Sequence, residues 1–119
     1  MNIERLLEEN QTSKALLEVL LAVAKKIGEF TTFTSKSQVA FRRKRAFAWA
    51  WIPAQYLKRT GLAPLVLTLS LPYRDPSARW KEVVEPSPGK FIHHLELWDL
   101  GDADAEVEAW MRKAWELAG

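Results

Sequence analysis

Val39-Ala40-Phe41-Arg42-Arg43-Lys44-Arg45-Ala46-Phe47-Ala48-Trp49-Ala50-Trp51 decides the fold, because large apolar residues recur at every second position on both sides of a basic block. A period of two belongs to strands, so the stretch predicts two strands of a hairpin whose turn holds the basic run. Solvated charge at such a turn also discourages pairing with other chains. Pro53 ends the second strand, since it has no N–H to give a ladder. In this reading Val39, Phe41, Phe47, Trp49 and Trp51 face one way, and Gln38, Ala40, Arg42, Ala46, Ala48 and Ala50 face the other.

Working outward, Leu65, Leu67, Leu69 and Leu71 alternate with Val66, Thr68 and Ser70 between Pro64 and Pro72, which predicts a third strand with two chemically distinct faces. Phe91 to Trp98 predicts another, with Phe91, His93, Leu95 and Leu97 on one side and Ile92, His94, Glu96 and Trp98 on the other. Tyr73 to Lys90 is expected to be irregular, punctuated by Pro76, Pro86, Pro88 and Gly89, with Trp80, Val83 and Val84 as its anchors.

Helical spacing brackets the sheet. Leu6 and Leu7 predict a short opening helix, and Leu16, Leu20, Val23 and Ile27 a longer one whose stripe Leu17, Leu21 and Ala24 widen. Thr12 or Ser13 is the expected cap, and Gly28 the expected left-handed stop. Val107, Trp110, Met111, Ala114 and Ala118 give a closing helix with Asp102 as its expected cap and basic residues toward its negative end. The fold class is therefore α+β: a single domain over residues 1–119, with four or five mainly antiparallel strands and helices packed on one face.

The 119 residues fit one domain, and 48% apolar with 27% charged residues is ordinary globular composition. Without cysteine, neither disulfides nor thiolate metal sites are available. The apolar run from Ala15 to Ala24 is interrupted by Glu18 and is far short of a membrane span, and the start lacks a signal peptide's pattern, so a cytoplasmic protein without membrane contact is expected. The net charge of +2 excludes little, but its distribution is uneven, because Arg42 to Arg45 are contiguous while Asp99 to Glu108 holds five carboxylates.

Ser35-Lys36-Ser37-Gln38-Val39-Ala40-Phe41, Phe47-Ala48-Trp49, Val84-Glu85-Pro86-Ser87-Pro88-Gly89-Lys90-Phe91-Ile92-His93-His94 and the acidic start of the closing helix together resemble domain of unknown function family 5655. The resemblance runs from about Leu16 to Ala118. It implies the same order of helices, strands and closing helix, and it brings no reaction with it. Relatives occur alone and joined to longer chains, some with restriction-type domains, which implies a recognition module. A transport label carried by some relatives does not suit a chain without a membrane segment.

Three groups of residues carry candidate chemistry. If the Leu, Phe and Trp positions face the helices, the other face is a trough of small residues, with Arg42, Thr68, Ser70, His94 and Trp98 as candidate binding residues. A ligand, a peptide or a second copy of the chain would settle there, and Ala48→Arg would break such a homodimer. The bland alternative is a face covered by the loop from Tyr73 to Lys90.

His93 and His94 point to opposite faces, so they cannot share a metal, and no metal or cofactor is expected. His93 falls on the core side. His94, with Glu96 two residues on and Thr68 or Ser70 across the ladder, is the candidate general base. The third group, Arg43, Lys44, Arg45, Arg74 and Arg79 with Arg42, would contact phosphates if the hairpin tip and the long loop lie at one end. Solvation alone also accounts for such charges. Arg74-Asp75-Pro76 is expected to be a turn in which the Asp75 carboxylate bonds the backbone two residues on. A binding or interaction module ranks first, nucleic-acid binding through the basic hairpin second and an enzyme using His94 third.

Overall fold

The computed structural model describes residues 3–119. Helices α1 (Ile3–Glu9) and α2 (Gln11–Ile27) lead into strands β1 (Thr31–Thr34), β2 (Gln38–Arg42), β3 (Ala46–Trp51), β4 (Leu65–Leu71), β5 (Glu82–Ser87) and β6 (Lys90–Leu97), and α3 (Ala105–Leu117) closes the chain. All neighbouring strands are antiparallel, in the order β1-β2-β3-β4-β6-β5.

The sheet has six strands where four or five were expected. The additional ones are the two edges. Thr31-Thr32-Phe33-Thr34 is exposed throughout and so shows no alternation, and β5 lies within the segment expected to be irregular, its ladder interrupted by a bulge between Val84 and Ser87. Short or bulged edges are how sheets avoid pairing with other chains, and the same devices erase the periodic signal.

α2 and α3 cover one face of this sheet. Leu16, Leu20, Val23, Ala24 and Ile27 of α2 and Val107, Trp110, Met111 and Ala114 of α3 join Leu65, Leu67, Leu69, Leu71, Leu95 and Leu97 in one buried cluster. Each leucine so buried contributes roughly 1.5–3 kcal/mol relative to exposure.

The helix ends differ from expectation. α2 begins at Gln11 without a side-chain cap: Asn10 donates back to the Leu6 carbonyl at 2.9 Å, and Ser13, inside the helix, donates to the Pro64 carbonyl at 2.7 Å. Gly28 has φ of 167°, which is extended rather than left-handed. Asp104, not Asp102, caps α3 by accepting from the Val107 N–H at 3.1 Å, while Asp102 accepts from the N–H groups of Trp98 and Asp99.

One irregularity fixes which face each residue of β3 takes. Phe41 pairs with Ala48 but Arg42 pairs with Ala46, so Phe47 is an extra residue in a β-bulge. Phe47 and Ala48 both go to the core, where the Phe47 ring meets Phe41 edge-on at 6.3 Å. Beyond the bulge, therefore, Ala48 and Ala50 lie under the helices, fully buried, and Trp49 and Trp51 turn to the opposite face. The expected trough of alanines is corrected here: alternation counted from Phe47 starts one residue out of phase. Arginine at Ala48 would disrupt the core itself, and so cannot test for a dimer.

Candidate binding face

Strand register lays out the face that no helix covers. One row runs across all six strands as Phe33, Ala40, Trp49, Thr68, His94 and Glu82, and the next runs Gln38, Trp51, Val66 and Glu96. On the other side of the first row, Ser70 pairs with Ile92, which pairs with Val84. Thr68, Ser70 and His94 thus stand on the face expected of them. Trp98 follows β6 and is partly exposed, and Arg42 stands on the same side at the hairpin end, beside Thr31.

At the centre is a polar chain with a definite direction. Trp51 Nε1 donates to Thr68 Oγ1 at 2.9 Å, and Thr68 Oγ1 lies 2.8 Å from His94 Nδ1. With its oxygen accepting from the indole, the hydroxyl best completes its bonding by donating to Nδ1, which leaves the His94 proton on Nε2. Trp51 meets His94 edge-on at 6.1 Å and Tyr56 at 6.0 Å. Trp49, Trp51, Tyr56 and His94, with Gln38 and Lys90, line an open groove of about 620 Å³.

The carboxylate expected beside His94 is a different one. Glu96 makes no hydrogen bond to His94; the charge that acts on it comes from Glu82, its cross-strand neighbour on β5. Burial pushes the His94 imidazole below the ordinary histidine value, with Glu82 opposing.

His93, on the core side, is fully buried; its Nε2 accepts from the Asp75 N–H at 3.0 Å and its Nδ1 lies 3.2 Å from the Phe91 carbonyl. Burial again lowers its pKa, against the opposing pull of the Phe91 carbonyl and the Asp75 charge. For both groups the unfolded chain takes up protons first as pH falls. Stability is therefore full above about pH 6.5 and declines as pH falls from there toward the folded-state values. Urea midpoints at about pH 7.5 and about pH 5 should show the drop, and His94→Gln should reduce it; an identical drop in that variant would remove His94 from the account.

The basic residues are not gathered at one end. Lys44 and Arg45 donate their backbone N–H groups to the Ala118 carbonyl at 3.1 and 3.2 Å, Arg43 Nη1 donates to the Trp115 carbonyl at 3.3 Å, and Arg45 Nη2 donates to the Leu117 carbonyl. The Arg43 guanidinium also stacks on the Trp115 ring at 3.7 Å. The hairpin turn thus closes the C-terminal end of α3, where unpaired carbonyls and the helix dipole favour cations.

Arg79 lies at the other end of that helix, bonded to Asp104 and, at 2.8 Å, to Glu106. Thirteen residues of helix separate the two ends by roughly 20 Å. Arg74 stands over the Phe91 ring. Arg79 therefore cannot join a phosphate site at the hairpin tip, whereas Lys90, at the end of the long segment, lines one cavity with Arg45. Arg43→Ala with Arg45→Ala is expected to lower stability by about 1–2 kcal/mol, read as a fall in urea midpoint, and an unchanged midpoint would show the clamp to be idle.

Sequence reasoning finds only the local part of one constellation. The Asp75 carboxylate accepts from the Ser77 N–H at 3.0 Å, as the turn predicted, and also from Trp80 Nε1 at 3.0 Å and Trp110 Nε1 at 3.1 Å. Trp80 in turn packs against His93 with ring centres 4.8 Å apart and against Trp110 at 4.2 Å. The segment between β4 and β5 is thereby fixed to α3 on the helix side and does not cover the open face.

Among the described residues, no group of three or more histidine or carboxylate side chains could hold a metal ion, and no helix is long and apolar enough to cross a membrane. Compared with known families, residues 3–118 match the model of the family described as Domain of unknown function (DUF5655). Searches of curated proteins and of solved structures each return no match.

Proposed function

Because the chain belongs to the DUF5655 family, whose description names no reaction, we propose its function from the site itself: a small non-catalytic binding module whose ligand seats on the open face of the sheet. The observation that carries this reading is the chain from Trp51 through Thr68 to His94, which fixes a histidine donor inside a groove walled by Trp49, Trp51 and Tyr56. Aromatic walls with a few oriented polar groups are the usual make-up of a ligand site. In this role His94 is a positioned donor rather than a base, since its Nδ1 is held by Thr68. Amide and indole NMR shifts titrated with planar fragments such as indole, benzamidine and nicotinamide should move at Trp49, Trp51, Ile92 and His94. Shifts confined to other parts of the molecule, or none, would sink the reading.

A second reading is supported by a separate groove of about 1070 Å³, lined by Lys25, Arg42 and Lys44 beside Trp115, in which Glu29 is the single carboxylate. Nucleic acid would contact it through phosphates. Binding to labelled single- or double-stranded DNA and RNA should then weaken steeply with salt and disappear in Arg42→Glu, Lys44→Glu. These positions serve better than Arg43 and Arg45, whose loss also releases α3. Salt-insensitive or absent binding at low salt would reject it.

A further inference from the structure

The groove on the open sheet face does not end at Lys90. Lys90 and Trp49 also line a second cavity, of about 580 Å³, which turns over the strand ends past Ser70 and Leu71 to Arg45. The two adjoin at Trp49 and Lys90 and together make a track with flat rings at one end and cations at the other. No carboxylate lines either part: Glu82 and Glu96 belong to the same face but stand outside both walls. The track is therefore complementary to an anion at the Lys90 end and to an uncharged planar group at the Trp51 end.

We propose that this track binds a nucleoside phosphate unit, its base against Trp49 and Trp51 within reach of His94 and Gln38, and its phosphate at Lys90 and Arg45. The proposal rests on the binding-face reading above and adds the ligand's class. The length of the track suits this class better than a simple aromatic acid. Lys90 and His94 lie four residues apart on β6, about 13 Å along the strand, a span that a base, a sugar and a phosphate fill together. Stacking on an indole tolerates any base, whereas the His94 Nε2–H and the Gln38 amide can bond the ring's polar edge. Arg45 gives one of its five donors to Leu117, which leaves its charge and other donors for a phosphate.

The unit could be a free nucleotide or part of a single strand, and one experiment separates the two. Adenosine and uridine, their 5′-monophosphates, and ten-residue oligomers of deoxythymidine and of uridine are titrated into the intact chain, with binding read from indole and amide NMR shifts. The monophosphates should shift Trp49, Trp51, His94 and Lys90 saturably. Trp49→Leu should weaken them about tenfold. Lys90→Glu should weaken the monophosphates about tenfold while leaving the nucleosides within about twofold. Should Trp49→Leu fail to fold, Tyr56→Ala and Lys90→Glu carry the same test from exposed positions.

An oligomer that binds far more tightly than the monophosphate identifies a strand, and equal affinity identifies a free nucleotide; both support the proposal. No saturable shift with any phosphate probe overturns it, as does binding that Arg42→Glu, Lys44→Glu removes and Lys90→Glu does not. If planar fragments still shift the face when nucleotides do not, only the ligand class falls. If neither binds there, the binding-face reading falls as well.

Discussion

Replacing Asp75 with alanine is expected to cost the domain about 3–5 kcal/mol at neutral pH. The carboxylate is the acceptor for two indoles, Trp80 and Trp110, each only 8% exposed, as well as for the Ser77 N–H. Removing it leaves two buried donors unpaired, at about 1–3 kcal/mol each, and frees the segment that carries Trp80 away from α3. Asparagine should recover less than half of the loss, because its amide presents donors to one of the donating indoles. Urea unfolding of the three chains decides the matter, and an alanine variant within about 1 kcal/mol of the native chain would show that the indoles find other acceptors.

The same residue predicts a pH dependence of definite sign. Burial pushes the Asp75 carboxyl up, but the hydrogen bonds from Ser77, Trp80 and Trp110 and the nearby His93 outweigh it, so its pKa lies below the ordinary carboxylate value. Its contribution is therefore full above about pH 3.9 and is lost as pH falls through the lowered folded-state value. The Asp75→Asn variant should lack this acid-side loss while keeping the histidine-dependent decline that begins near pH 6.5.

Gly28→Ala is expected to cost about 2–3 kcal/mol, although alanine is ordinarily harmless at an extended position. A Cβ built on Gly28 would lie 2.4 Å from Cζ2 of Trp115. The ring cannot retreat, because its Nε1 is tied to the Glu29 carbonyl at 2.8 Å and Arg43 is stacked on it. With φ at 167° the backbone is unstrained in either residue, so the whole effect is steric. A double-mutant cycle checks this. In a Trp115→Ala background the same substitution should be nearly neutral, giving a coupling of about 2 kcal/mol, whereas additive losses would place the cost in the backbone.

What the sequence disclosed follows from the range of the interactions concerned. The faces of β4 and β6, the stripes of α2 and α3 and the opposite outlooks of His93 and His94 depend on periods of two and 3.6, which a chain shows locally. Thr68 could be named, beside Ser70, as a partner for His94 because cross-strand neighbours come from few residues. The basic run, by contrast, reads as a solvated turn, since the carbonyls that Arg43 and Arg45 satisfy lie 72 residues later. Asp75 shows the same division within one side chain: its bond to Ser77 is two residues away and was legible, while its bond to Trp110 spans 35 residues and was not. Alternation counted through Ala46-Phe47-Ala48 sends Trp49 and Trp51 to the core, because nothing in those three residues marks the bulge.

That bulge makes the hairpin sensitive to length as well as to composition. Deleting the codon for Phe47 would restore unbroken alternation across β3 and leave the strand with two ways to pair. In one, Ala48 and Ala50 keep their places, because Arg42–Ala46 and Phe41–Ala48 become successive rungs and the turn is unchanged. In the other, the strand everts, driving two indoles beneath the helices and two methyl groups into the solvent. The single supernumerary residue thus works as a parity bit for the hairpin, and a one-residue slip of register there is a graver lesion than most substitutions on either face.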